Sequence, residues 1–145
     1  MRVGFFDSGI GGLTVLSRAR SLYPALNAIY YSDPDHLPYG EKPKELIRDY
    51  VLHAGTFLYD LDVDAIVIAC NTATSAAVSD LRQKLSIPVI GMEPAVAIAR
   101  HSLTMPTDRI LVLATRLTLQ EEKYLSLLEL LGIASRVDSI PSLCW

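Results

Sequence analysis

The chain has 145 residues, half of them hydrophobic and a fifth charged, with a net charge of -3 at neutral pH. This is about the size of one typical domain. No cluster of Lys and Arg suggests a nucleic-acid interface, and no apolar run approaches the roughly 20 residues that a membrane-spanning helix needs. Met1 and Arg2 lead straight into a strand-like run. We therefore expect a cytoplasmic protein without a signal peptide, a membrane segment or bound nucleic acid.

Strand-like and helix-like segments alternate along the first hundred residues. Apolar runs typical of strands cover residues 2–6, 28–31, 63–69 and 87–91. Helical spacing or composition is found at 13–22, around 46–57, at 71–85 and at 93–99. A loop rich in Pro and aromatic residues precedes the second of these helices. Because helices alternate with strands, the sequence predicts an α/β fold with an open parallel sheet and flanking helices.

The same pattern starts again in the last third of the chain. Residues 101–108 resemble a linker, 109–114 a strand, 119–131 a helix and 137–140 the beginning of another strand. The sequence thus predicts a first α/β domain at 1–100, then a linker and an incomplete second α/β unit at 101–145. An incomplete unit would leave apolar surface exposed around Leu111, Leu113, Leu127 and Leu130.

Cys70 is the residue around which the candidate chemistry is organised. It follows the apolar run that ends at Ala69 and directly precedes a predicted helix. Unpaired N–H groups and the helix dipole at that position would favour the thiolate. Asn71 or Thr72 could cap the helix. The alternative is that Cys70 is simply a small core residue, since free cysteines are among the most buried residue types.

Polar residues also follow other predicted strands, at the edge of the sheet where ligands of parallel α/β folds bind. They are Asp7 and Ser8 in a Gly-rich turn, Tyr39 and Gly40 in the loop, and Thr115 after the later strand. Backbone N–H groups of the Gly-rich turn could bind an anion, and the carboxylate of Asp7 could bind a cation. Such a site suits a small amino acid, with Cys70 moving a proton at the α-carbon or acting as a nucleophile.

Other kinds of site fit the sequence less well. The glycines from Gly9 to Gly12 lack the full dinucleotide spacing, and no P-loop Gly-Lys-Ser/Thr occurs. The two cysteines, Cys70 and Cys144, are too far apart for a structural zinc site. We therefore predict no metal, and we do not expect any of the three histidines to be catalytic.

Taken together, the segments Phe6-Asp7-Ser8-Gly9-Ile10-Gly11-Gly12, Pro38-Tyr39-Gly40 and Cys70-Asn71-Thr72-Ala73 resemble the glutamate racemases of the aspartate/glutamate racemase family. Glu93-Pro94, and Ala114-Thr115 with Leu117-Thr118, are similar to later landmarks of that family. The resemblance implies racemisation of glutamate without a cofactor, which supplies D-glutamate for peptidoglycan.

The same resemblance assigns roles to individual residues. It implies that Cys70 is one of two acid/base thiols on opposite sides of the α-carbon. Substrate-binding roles carry over to Asp7, Ser8, Tyr39, Gly40, Asn71 and Thr72, and Thr115 would add a contact from the second unit.

One departure from the family pattern changes the expected activity. The family's second cysteine lies in a Cys-Thr-His stretch that this sequence lacks, and Cys144 does not have the matching neighbours. We therefore expect the chain to correspond to the first half of a racemase and to be inactive alone. A non-catalytic amino-acid-binding or regulatory domain and an aspartate racemase stay open as alternatives, as does a homo-oligomer.

Overall fold

The computed structural model describes residues 1–142 and has an α/β architecture with two parallel sheets. The strands are β1 (Arg2–Asp7), β2 (Asn27–Ser32), β3 (Ala65–Ile68), β4 (Val89–Gly91), β5 (Ile110–Ala114) and β6 (Val137–Pro141). The helices are α1 (Leu13–Leu22), α2 (Lys44–Asp60), α3 (Asn71–Lys84), α4 (Val96–Arg100), α5 (Arg116–Gln120) and α6 (Glu122–Leu130). The parallel α/β prediction is confirmed.

None of the helices within residues 1–142 combines the length and apolar character needed to cross a membrane.

The first sheet has four strands in the order β2-β1-β3-β4, and every pair is parallel. Helices α2 and α3 cover it with a continuous apolar core. The largest fully buried side chains of this core include Phe6, Ile47, Leu58, Ile66 and Leu81. Helix α1, by contrast, buries none of its residues, although its leucines recur at helical spacing.

The second sheet consists of β5 and β6 alone within the described residues, and the two strands are parallel. Its smaller core contains Val96, Val112, Tyr124, Leu128 and Ile133. Because Val96 lies on α4, the last helix before the predicted linker also contributes to this second core. The expected exposure is found at Leu111, Leu113 and Leu130. Leu127 differs, because it is half-buried and packs against the second core.

The single helix expected at 119–131 is instead two helices, and the first begins earlier. Thr115 caps α5, so that helix starts at Arg116. Glu121 then adopts an extended backbone, with φ -65° and ψ 133°, and its carbonyl accepts the N–H groups of Tyr124 and Leu125. Glu121 also forms an ion pair with Lys44 of α2. The break between α5 and α6 therefore places an acidic residue where it contacts α2, one of the helices that cover the first sheet.

Candidate active site

An open cleft of about 590 Å³ lies at the carboxyl ends of β1, β3 and β5. Ligands of parallel α/β sheets bind at this edge. Six of the eight residues predicted for the site line the cleft, namely Asp7, Ser8, Cys70, Asn71, Thr72 and Thr115. The cleft therefore brings the end of the first sheet together with the end of the second.

Cys70 is held at the start of α3 by its own side chain. Its Sγ accepts a hydrogen bond from the backbone N–H of Ala73 over 3.4 Å, which makes the thiol itself the helix cap. The expectation that Asn71 or Thr72 caps α3 is therefore wrong. A second contact, 3.5 Å long, joins Sγ to the hydroxyl of Ser8. The sulfur thus lies between the Gly-rich turn after β1 and the first turn of α3.

The electrostatic environment raises the pKa of the Cys70 thiol above its ordinary value. Burial is the main cause, and the negative charge of Asp7 acts in the same direction. The hydrogen bonds from Ser8 and Ala73 lower the pKa without overcoming the effect of burial. The predicted preference for the thiolate is therefore wrong for this conformation, because desolvation outweighs the donors at the helix N-terminus.

The turn after β1 is fixed by its own backbone and by a tyrosine of the neighbouring strand. An oxygen of Asp7 accepts the N–H of Gly9 over 2.6 Å, and the hydroxyl of Tyr30 donates to the carbonyl of Gly9 over 3.0 Å. A Cβ at Gly12 would lie 2.8 Å from the Cβ atoms of both Asp7 and Ala69. Only glycine therefore allows the turn to approach the end of β3 this closely.

Tyr30 was not among the residues predicted for the site. Burial raises its pKa to about 12, and the negative charge of Asp7 acts in the same direction. Its hydroxyl therefore stays protonated and serves as a donor to the turn. The sequence offers no signal for this role, because Tyr30 and Tyr31 look alike within an ordinary apolar strand.

Tyr39 and Gly40 are not among the residues that line the cleft. The Tyr39 side chain is fully buried in the first core, and its hydroxyl donates to Asp33 over 2.7 Å. Burial and the acceptor Asp33 raise the pKa of Tyr39. His36 binds the same carboxylate through Nδ1 at 2.7 Å and stacks on Tyr50. A direct substrate contact from Tyr39 or Gly40 stays a prediction.

A chain of three buried threonine hydroxyls connects the two units at the cleft. Thr72 Oγ1 lies 3.0 Å from Thr115 Oγ1, which lies 3.0 Å from Thr118 Oγ1. Thr118 also lines the cleft but was not predicted for the site. Thr118 belongs to the Leu117-Thr118 segment that resembles a family landmark, and its spacing of three residues from the capping Thr115 is a further feature that could have indicated it.

The remaining sequence predictions for the site concern metals and Cys144. No group of three His, Cys, Asp or Glu side chains within residues 1–142 is arranged to hold a metal ion. Cys144 lies outside the described residues.

A family model and curated relatives place this chain in the same protein family. A family model described as Asp/Glu/hydantoin racemase matches residues 13–143. Glutamate racemase 2 of Bacillus subtilis is 46% identical over 140 residues, which are 97% of this chain and 53% of that protein.

Solved structures show the same similarity. The glutamate racemase of Aquifex pyrophilus is 38% identical with a TM-score of 0.84, over 96% of this chain and 54% of that one. The Escherichia coli glutamate racemase, solved in complex with L-glutamate and the activator UDP-MurNAc-Ala, is 34% identical with a TM-score of 0.87, over 97% and 53% of the two chains. This chain thus spans about half the length of the relatives it matches. It belongs to the Asp/Glu/hydantoin racemase family.

Proposed function

We propose that this chain forms one face of a cofactor-independent glutamate racemase site, in which the Cys70 thiol moves the proton at the α-carbon. The observation that carries the proposal is the position of Sγ. It lies in the cleft at the first turn of α3, within 3.5 Å of Ser8 and beside the charge of Asp7. The names of the relatives support glutamate as the substrate.

The cleft offers complementary groups for both charges of an amino acid. Within residues 1–142, the backbone N–H groups of Asn71 and Thr72 have no protein acceptor and are available to a carboxylate at the start of α3. Asp7 uses one carboxylate oxygen to accept from Gly9. Its other oxygen is available to accept from the ammonium group of the substrate.

Proton transfer at this site requires the thiol to change its protonation state. The thiolate of Cys70 would take the α-proton, so that the C–H bond breaks, an S–H bond forms and the electron pair stays on the substrate, delocalised towards its carboxylate. Inversion then needs a proton from the opposite face. The sequence has no Cys-Thr-His stretch, so we propose that the chain alone exchanges the α-proton on one face and does not racemise glutamate.

The wider biological role follows the family resemblance. We propose that the site belongs to the reaction that supplies D-glutamate for peptidoglycan in the cytoplasm. An aspartate racemase is the closest alternative, because the two substrates differ by one methylene group and carry the same charges.

The experiment measures deuterium incorporation at the α-carbon of D-glutamate, L-glutamate, D-aspartate and L-aspartate in D₂O by proton NMR. We expect exchange from one enantiomer of glutamate, little from aspartate, and loss of exchange in Cys70→Ser. A Cys144→Ser variant is the matched control, which removes the other thiol and should exchange at the wild-type rate.

The outcomes separate the alternatives. Exchange that survives in Cys70→Ser, or equal loss in both cysteine variants, would contradict the role of Cys70. Folded protein that binds glutamate without any exchange would favour a non-catalytic binding domain. Conversion of one enantiomer to the other would contradict the single-face proposal.

A further inference from the structure

The hydroxyl groups of Thr72, Thr115 and Thr118 form a hydrogen-bonded chain that is almost completely buried. The three residues are 3%, 8% and 1% exposed, respectively. Thr72 belongs to the first turn of α3, whereas Thr115 and Thr118 belong to the cap and first turn of α5. The chain of hydroxyls therefore crosses from one unit to the other beside Cys70.

The hydrogen bonds in this chain can run in either of two directions, and the Thr115 hydroxyl is fully used in both. Within residues 1–142, the Thr118 hydroxyl has a single side-chain or backbone partner, Thr115 Oγ1. If Thr72 donates to Thr115 and Thr115 donates to Thr118, the Thr118 proton has no protein acceptor among these residues, whereas in the reverse direction it is the Thr72 proton that has none. A hydrogen-bond acceptor bound beside Thr72 would therefore select the direction in which Thr118 donates to Thr115, because an unpaired buried donor is costly.

The Thr115 hydroxyl has no hydrogen-bonding capacity left for a substrate. With an acceptor at Thr72, its oxygen accepts from the hydroxyl of Thr118 and also from the Thr118 backbone N–H at 3.3 Å. A hydroxyl has two lone pairs and one proton, so both lone pairs are occupied. The proton of Thr115 then goes to Thr72, 3.0 Å away.

In this direction the Thr72 hydroxyl accepts from Thr115 and has its own proton to donate elsewhere. Thr72 lines the cleft, next to the free N–H groups at the start of α3. A carboxylate oxygen in the cleft is the acceptor that this arrangement suits, because it also accepts from those N–H groups.

We propose that Thr115, anchored by Thr118, is a positioning residue that holds the Thr72 hydroxyl as a donor towards the substrate carboxylate and does not contact the substrate itself. This inference rests on the proposed function for the identity of the ligand. The hydroxyl chain itself is a property of the free protein. Two experiments therefore test the two parts separately.

The first experiment needs no ligand. Urea unfolding is measured for the wild type, Thr72→Val, Thr115→Val and the double variant. We expect strong non-additivity, because the first substitution already breaks the Thr72–Thr115 bond. Thr56→Val is the control, since its hydroxyl donates to Leu52 within α2, and it should combine additively with Thr115→Val. Additive losses for Thr72 and Thr115 would overturn the hydroxyl chain.

The second experiment measures glutamate affinity by NMR titration of ¹⁵N-labelled protein. Thr115→Val should weaken affinity about tenfold, the order expected for one hydrogen bond, while Thr115→Ser and Thr118→Ser should keep near wild-type affinity. In a Thr72→Val background, Thr115→Val should cause no further loss. A further loss there would show direct contact and overturn the positioning role.

The two failures can be told apart. If the wild-type chain binds neither enantiomer of glutamate, the proposed function and the ligand part of this inference fail together. The unfolding cycle would still decide whether the hydroxyls of Thr72 and Thr115 are coupled in the free protein.

Discussion

At the scale of single residues, Cys70 is surrounded by groups with opposing effects on its pKa. Burial and Asp7 raise the pKa of the thiol, while Ser8 and the Ala73 N–H lower it. The resting group is therefore a thiol, which is the form that returns a proton. To remove a proton from the substrate, it must first lose its own, and the charge of Asp7 opposes that loss. An ammonium group bound at Asp7 would reduce this opposition.

We predict that substitutions at Asp7 and Ser8 shift the thiol pKa in opposite directions. Asp7→Asn removes a negative charge and should lower the pKa of Cys70, because the thiolate is no longer repelled. Ser8→Ala removes a hydrogen bond that favours the thiolate and should raise it. The measurement is the pH dependence of the rate of iodoacetamide alkylation, in a Cys144→Ser background so that only Cys70 reacts.

The control for this prediction is Asp62→Asn, which removes an acidic charge on the loop that leads into β3, at the opposite end of the strand from Cys70. It should leave the alkylation profile unchanged. Shifts of the same sign for Asp7→Asn and Ser8→Ala would show that the variants act through altered burial of the thiol and not through the charge and the hydrogen bond.

The residue scale also shows what the sequence could and could not predict about the site. The positions of Asp7, Ser8 and Cys70 in the cleft were predictable because each lies at or just beyond the carboxyl end of a strand, and the carboxyl ends of parallel strands meet at one edge of the sheet. The raised pKa was not predictable, since it depends on how deeply helix packing buries the sulfur. The hydrogen bond from Tyr30 to Gly9 was not predictable either, because it depends on β2 lying next to β1 in the sheet.

At the scale of elements, the β3–α3 junction combines the candidate chemistry with a helix cap. Alternation of strands and helices predicted this junction correctly, because a buried apolar run followed by small polar residues is a local pattern. The division between α5 and α6 was not predictable from apolar spacing. It depends on the extended backbone of Glu121 and on its ion pair with the distant Lys44.

We predict that the cap makes Cys70→Ala less stable than Cys70→Ser. The serine hydroxyl can replace Sγ as acceptor of the Ala73 N–H, whereas alanine cannot, and loss of a cap costs about 1 kcal/mol. Urea unfolding followed by circular dichroism measures the difference. Equal stability of the two variants would mean that the 3.4 Å contact from Ala73 to sulfur contributes nothing to α3.

At the scale of the whole molecule, the two sheets differ in how completely they are covered. Purely parallel sheets normally have both faces covered. On β5, Val112 points into the second core, whereas Leu111 and Leu113 are 58% and 62% exposed on the opposite face. Ile140 of β6 pairs with Leu113 in register and is 50% exposed. These three side chains form one exposed apolar surface on the face of the second sheet opposite its core, and Leu113 also lines the cleft.

We predict that this apolar surface makes the chain associate with itself as its concentration rises, because association removes apolar area from water. Sedimentation velocity of the wild type should show a growing fraction of larger species. Leu111→Gln with Leu113→Gln should restore a monomer. The matched control is Leu13→Gln with Leu22→Gln on α1, which removes two leucines that are also exposed, at 45% and 55%, and should leave association unchanged.

A wild-type chain that stays monomeric at high concentration would show that three exposed side chains on a two-stranded sheet are too small a surface to drive association. Loss of association in both double variants would instead indicate a general effect of surface hydrophobicity, without a preferred face on β5 and β6.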